Sequence, residues 1–273
     1  MATWEFPCSE PIDLHVGIAA GSVAVTAAPT DVVTVRGQHG RPGGTATESA
    51  DADRRTDDVT VDYANGRLEI SEPETRGLRR HNRSLHLLIS VPDGSRASIG
   101  TASADVSCQG EYSAVGIRTA SGRVDVHFVR GPAEITTMSG GVQIDQAAEP
   151  TVQSASGRIL VRYATGDLVA RTASGNISVG RADASVTART ASGEVLINSV
   201  ARGRTDVNSV SGDVRVRVAQ GTGVLLDLAS VTGRVISDLD PADQEGREDL
   251  QLYSRTVSGA IQVARAVPAD VAS

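Results

Sequence analysis

Lysine is missing from this chain: all 26 basic residues among its 273 are arginine, and against 33 acids they leave a net charge of -7. The exclusive use of arginine reads as the coding bias of a GC-rich genome. The negative balance excludes a general phosphate-binding surface, and with it nucleic acid as a partner. Aromatic residues make up only 3% of the sequence, too few for a core of large rings, so burial must come from thin layers of Val, Ile, Leu and Ala. Two cysteines, Cys8 and Cys108, cannot build a disulfide framework. No stretch approaches the roughly 18 apolar residues of a membrane span. Residues 1–10 show no basic segment followed by an apolar run, so the expected location is cytoplasmic. Helix signals are weak throughout.

What the chain has in abundance is one phrase. It reads Thr119-Ala120-Ser121-Gly122-Arg123-Val124, and returns at Thr137-Met138-Ser139-Gly140, Ser154-Ala155-Ser156-Gly157, Thr172-Ala173-Ser174-Gly175, Thr190-Ala191-Ser192-Gly193, Ser209-Val210-Ser211-Gly212, Ser230-Val231-Thr232-Gly233 and Thr256-Val257-Ser258-Gly259. From Ser103 the serines follow at steps of 18, 18, 17, 18, 18 and 19 residues. Self-similarity at such a period is the mark of a solenoid.

Aligning the copies produces columns. The first position after the turn reads Val106, Val124, Val142, Ile159, Ile177, Val195, Val214, Val235 and Ile261, and two residues on come Cys108, Val126, Ile144, Val161, Val179, Ile197, Val216, Ser237 and Val263. The set between them is mostly polar, with Leu160, Leu196 and Ile236 as apolar members of a nominally outward column. Inward, outward, inward is a strand with one buried face. A second strand precedes each phrase, with Ile117, Ile135, Val152, Ala170, Ala188, Val207 and Leu228 inward and Arg118, Gln153, Arg171, Arg189 and Asn208 outward. The fold class expected is therefore all-β: a parallel β-solenoid with coils of roughly 18 residues, stacked in sequence order about 4.8 Å apart. The aliphatic spacing around a coil does not divide into hexads, which excludes the left-handed hexapeptide helix.

One domain is expected over 1–273. Residues 1–91 form irregular coils and a cap, with loops at 36–58 and 71–84 and a hairpin turn at Asn65-Gly66. Regular repeats span 92–263, an acidic insertion occupies 237–248, and 264–273 is a tail. The loop at 71–84 carries Arg76, Arg79, Arg80, His81 and Arg83, which reads as a solvated basic loop.

The recurring Thr-[Ala/Val]-Ser-Gly-x-[Val/Ile]-x-[Val/Ile], the entry Leu87-Leu88-Ile89-Ser90-Val91-Pro92-Asp93-Gly94 and the closing Thr256-Val257-Ser258-Gly259-Ala260-Ile261-Gln262-Val263 together resemble the bacterial "putative adhesin" domains of unknown function. The resemblance covers residues 85–263 well and the first 84 loosely. It implies a single-chain, right-handed β-helix and carries no established activity.

No catalytic constellation, metal-ligand spacing or nucleotide loop is present. His15, His39, His81, His86 and His127 fall in different elements. Glu194 and Asp213 occupy one turn column on adjacent coils, where paired acids can do acid/base work or bind a cation; polar residues at exposed corners are the simpler reading. Thr119, Ser121, Thr137, Ser139, Thr172, Ser174, Thr190 and Ser192 form a hydroxyl ladder. Facing outward, it would be the array of an ice-binding surface. Strict alternation from Ile117 places it inside, satisfying corner backbone groups. The function expected is a non-enzymatic scaffold or protein-interaction module, partnered by another protein or by itself, with no cofactor. The alternatives are a surface-recognition solenoid, adhesin-like or ice-binding, and a carbohydrate-active β-helix, for which only Tyr112, Tyr163 and Tyr253 are available in the repeats to stack on sugars.

Overall fold

The computed structural model describes residues 2–39, 59–72, 84–239 and 249–267. The basic loop residues Arg76, Arg79, Arg80, His81 and Arg83, most of the loop expected at 36–58, most of the acidic insertion and the last residues lie outside these. Among the described residues all 21 elements are β-strands, and they divide into two compact units, residues 1–140 and 141–273.

The first unit holds β1 (Ala2–Pro7), β2 (Asp13–Ala28), β3 (Val32–His39), β4 (Thr60–Ala64), β5 (Arg67–Ser71), β6 (Leu85–Pro92), β7 (Arg96–Tyr112), β8 (Ala114–Thr119) and β9 (Val124–Thr137). Its centre is β2, whose alternation puts Leu14, Val16, Val23 and Val25 into the core. One edge of β2 pairs in parallel with β7, aligning those residues with Ala97, Ile99, Val106 and Cys108. The other edge pairs in parallel with β5 and β6, aligning them with Leu68, Ile70, Leu87 and Ile89. Residues 13–28 thus lie between two later segments and are as regular as any repeat, where irregular coils were expected.

Antiparallel strands end this parallel stack. β4 covers the free edge of β5, β3 that of β6, and β1 that of β3. The β4–β5 turn has Asn65 at φ 51° and Gly66 at φ 74°, the two positive values that a two-residue primed hairpin requires. Arg36 to His39, read as the start of a loop, instead extend β3, because they pair with Leu88 to Leu85.

The second unit holds β10 (Val142–Ser154), β11 (Ile159–Ala164), β12 (Leu168–Ser174), β13 (Ile177–Ala182), β14 (Val186–Ser192), β15 (Val195–Val200), β16 (Gly203–Ser211), β17 (Val214–Val218), β18 (Val224–Ser230), β19 (Val235–Ser237), β20 (Leu250–Ser258) and β21 (Ile261–Arg265). Each coil contributes one strand to each of two parallel sheets. The first runs β10-β12-β14-β16-β20-β18, and the second β10-β11-β13-β15-β17-β21-β19. Register follows the period read from the sequence: Val142 opposes Ile159, Ile159 opposes Ile177, and Ile177 opposes Val195. All four are buried, at 2% exposure or less.

Stacking departs from sequence order at one end. β20 and β21 insert between β16–β17 and β18–β19, so Ile261 opposes both Val214 and Val235. Burial follows this order. Leu250, Leu252, Ser254 and Thr256 of β20 are all buried, filling the sheet from both edges. In β18, Leu226 and Leu228 are half-buried and Leu225 is exposed, which suits a strand with one free edge.

The Ser-Gly corner is explained by contact between coils. A Cβ built on Gly193 would meet the carbonyl oxygen of Gly175 at 2.1 Å, and one on Gly212 would meet that of Gly193 at 2.1 Å. With φ of +153° and +142°, these two positions also adopt a conformation that side chains resist. Glycine recurs because the backbone carbonyl of the adjoining coil occupies the place of a Cβ, as the Ala104 carbonyl does beside Gly122.

Candidate functional site

The residues that follow the corner knit the coils together. Asp105 Oδ1 accepts from the Arg123 N–H at 2.7 Å, Asn176 Oδ1 from the Glu194 N–H at 3.0 Å, and Asp213 Oδ1 from the Ala260 N–H at 2.9 Å. Each polar corner side chain thereby satisfies a backbone donor on the coil above it. Glu194 and Asp213 do lie on adjacent coils, but Arg215 joins them, pairing with Glu194 and reaching Asp213 Oδ2 at 3.4 Å. Their carboxylates are committed to an ion pair and a backbone cap.

The hydroxyl ladder splits in two. Thr119, Thr137, Thr172 and Thr190 are buried, at 3 to 7% exposure. Ser139, Ser174 and Ser192 are exposed and Ser121 is half-buried, which corrects the inward placement expected for the serines. The backbone bends at the intervening residue, so alternation stops at the threonine. Most of the inner hydroxyls serve the corner, Thr172 excepted: Thr101 donates to Thr119 at 2.9 Å, Thr137 Oγ1 accepts from the Gly140 N–H at 3.1 Å, and Thr190 reaches the Gly175 carbonyl at 3.3 Å. With the threonines turned in, no flat Thr-x-Ser array faces outward.

The residue between them faces outward. On the outer face of the first sheet of the second unit, Ala155, Ala173, Ala191, Val210, Val257 and Val231 form an outward row, in which Val210, Val257 and Val231 are 55%, 48% and 76% exposed. Beside it runs a second outward row, Gln153, Arg171, Arg189, Asn208 and Arg255, in strict register. The two rows border a shallow groove of about 400 Å³ lined by residues from Gln153 to Val210. Leu160 and Leu196, on the other sheet, are half-buried and Ile236 is 37% exposed.

None of the three repeat tyrosines is placed to stack on a sugar. Tyr112 is fully buried, donating to the carbonyls of Val25 at 3.0 Å and Gln109 at 3.1 Å. Tyr253 is covered by the Arg204 guanidinium, 4.2 Å from its ring centre. Tyr163 donates to Asp183 Oδ2 at 2.6 Å, while Arg181 donates to Oδ1 at 2.8 Å and lies 5.3 Å from the Tyr163 ring centre. Desolvation pushes the Asp183 carboxyl up, but the hydrogen bonds from Arg181 and Tyr163 and the charges of Arg181 and Arg202 outweigh it and hold the group below its usual value. This cluster joins residues 18 to 20 apart, a spacing visible in the sequence once the period is known.

Among the described residues no group of three His, Cys, Asp or Glu side chains could hold a metal ion, and no helix is long and apolar enough to cross a membrane. His86 bonds Ser22 Oγ through Nδ1 at 2.8 Å, and His127 is exposed.

The family model described as Toastrack DUF4097 matches residues 34–264, 231 of the 273. The chain belongs to this family. The Toastrack fold is β-solenoid-like, in accord with the coils described above. Among solved structures, this Toastrack chain is similar to a putative adhesin from Bacteroides fragilis at 12% identity, covering 96% of each chain with a TM-score of 0.45. It is also similar to a putative adhesin from Parabacteroides merdae at 9% identity, covering 96% of this chain and 95% of that one with a TM-score of 0.47. A putative lipid binding protein from Parabacteroides distasonis is similar at 12% identity, with 96% of each chain covered and a TM-score of 0.41. No curated protein gives a significant match.

Proposed function

We propose that this Toastrack chain is a non-catalytic interaction module that offers the outer face of the β10-β12-β14-β16-β20-β18 sheet to a protein partner. The observation that carries the reading is the row ending in Val210, Val257 and Val231, exposed side by side on adjacent strands. A contiguous apolar strip on a soluble face is the kind of surface that another molecule covers. The commitment of Glu194 and Asp213 to Arg215 and to a backbone donor supports the absence of acid/base chemistry at that corner. The module would act in the cytoplasm.

Photo-reactive residues placed at positions 173, 210 and 257, and on the opposite sheet at 160, 178 and 196, test this in the native cell. Discrete crosslinked protein bands are expected from the first set only. Equal crosslinking from both sets, or a turnover activity lost on Glu194→Gln, contradicts the reading.

A further inference from the structure

Five arginines of the second unit are matched with acid. Arg162 pairs with Asp145, Arg181 with Asp183, Arg204 with Asp206, Arg215 with Glu194 and Asp213, and Arg255 with Asp227. Arg171 and Arg189 are not, and they stand together in one column. They oppose each other directly on β12 and β14, both are exposed, and among the described residues neither side chain has an ion pair or hydrogen bond. Their column neighbours are the amides Gln153 and Asn208, so no carboxylate stands directly opposite either of them. Like charges directly opposite in a sheet are destabilising. A chain with a net charge of -7 has many acids with which such a pair could be neutralised, and here it is left bare at the rim of a groove.

We infer that Arg171 and Arg189 form a carboxylate-binding pair, and that the occupant of the groove is an extended acidic polypeptide segment. The inference rests on the proposed interaction role and names the chemistry of the partner. Guanidinium groups rooted on strands about 4.8 Å apart reach two carboxylates spaced about 6–7 Å, the separation of alternate residues in an extended chain. The fork geometry of arginine suits bidentate contact with each carboxylate. Ala173, Ala191 and Val210 supply an apolar shelf for the aliphatic residues between the acids, and the Gln153 and Asn208 amides can bond the ligand backbone. Two features favour a peptide over an anionic sugar or lipid surface. The groove has no aromatic platform for a sugar ring, and two arginines on an acidic protein are too few for an anionic membrane.

The probe is the blocked peptide acetyl-Glu-Val-Glu-Val-Glu-Val-amide, titrated at low salt against the full chain, with its lysine counterpart, a uronic acid oligomer and phosphatidylglycerol vesicles as further arms. Binding of the acidic peptide alone is expected, weakening at least tenfold in Arg189→Glu. The same substitution places opposite charges on β12 and β14, so it should leave the fold intact and raise the Tm by about 1–3 °C. Arg171→Glu combined with Arg189→Glu should restore repulsion, returning the Tm while leaving binding lost. Equal or tighter binding of the uronate or the vesicles overturns the assignment, and so does failure to bind the peptide, whatever the Tm does. If the peptide fails while crosslinks from positions 210 and 257 persist, the carboxylate pair falls and the interaction role stands.

Discussion

Gly193→Ala should lower the Tm of the protein by roughly 4–10 °C, and Gly212→Ala by a similar amount. Each added methyl would stand 2.1 Å from the carbonyl oxygen of the glycine on the adjoining coil, far inside van der Waals contact. The obstacle is backbone that is itself held by hydrogen bonds: the Gly175 N–H donates to the Ser192 carbonyl and the Gly193 N–H to that of Ser211. Relief requires the coils to part or the corner to shift. Positive φ adds strain of about 1–3 kcal/mol, and in a domain of this size each kcal/mol is worth roughly 2–4 °C. Gly116→Ala is the control, since a Cβ there meets nothing within 4 Å and should change the Tm by no more than about a degree. Calorimetry on the three variants decides the matter. Equal behaviour would mean that the glycine column does not carry the stacking.

The second large effect belongs to Tyr112, the largest fully buried side chain of the first unit. Tyr112→Ala should cost about 3–5 kcal/mol as a buried-aromatic truncation. Tyr112→Phe should cost about 1–3 kcal/mol, because the carbonyls of Val25 and Gln109 lose a donor inside the core. Its pH signature distinguishes the hydroxyl from the ring. Desolvation pushes the Tyr112 phenol well above its ordinary value of 10.0 and the Cys108 thiol from 9.0 to about 12. A group whose proton is held more tightly when folded contributes stability that is present below its unfolded value and is lost as pH rises toward the folded one. Stability should therefore fall between about pH 9 and 12. Denaturant titrations across that range should show the fall shallower in Tyr112→Phe with Cys108→Ala. An unchanged slope would contradict the burial of both groups.

The solenoid was legible because its period is written in side chains that must repeat. Gly193 sits under Gly212, and Ile159 beside Ile177, for reasons that act between copies and so leave their mark on every copy. The order of the last coils was not legible. Val214, Ile261 and Val235 are interchangeable as column members, and the apolar patterns of β18 and β20 are alike, so nothing in the repeat marks which strand lies inside. The parity of Thr-x-Ser escaped for a local reason, since alternation predicts both hydroxyls inward and the corner turns Ser174 out beside Ala173. Tyr112 looked available to a ligand because its two carbonyl partners are 87 and 3 residues away, a distance that no repeat alignment reveals. Arg171 and Arg189 were correctly placed outward, but their lack of acid partners depends on which neighbours the register brings beside them.

Pyrene labels measure the stacking most directly. In a Cys8→Ser background, with Cys108 buried, cysteines replace Val169 and Thr187, which lie opposite each other on β12 and β14. A second protein carries them at Leu160 and Val169, nine residues apart but on different sheets. Stacking of coils at a period of 18 predicts strong excimer emission from the first pair and monomer emission from the second. Excimer from the pair closer in sequence, with none from the pair 18 apart, would contradict it.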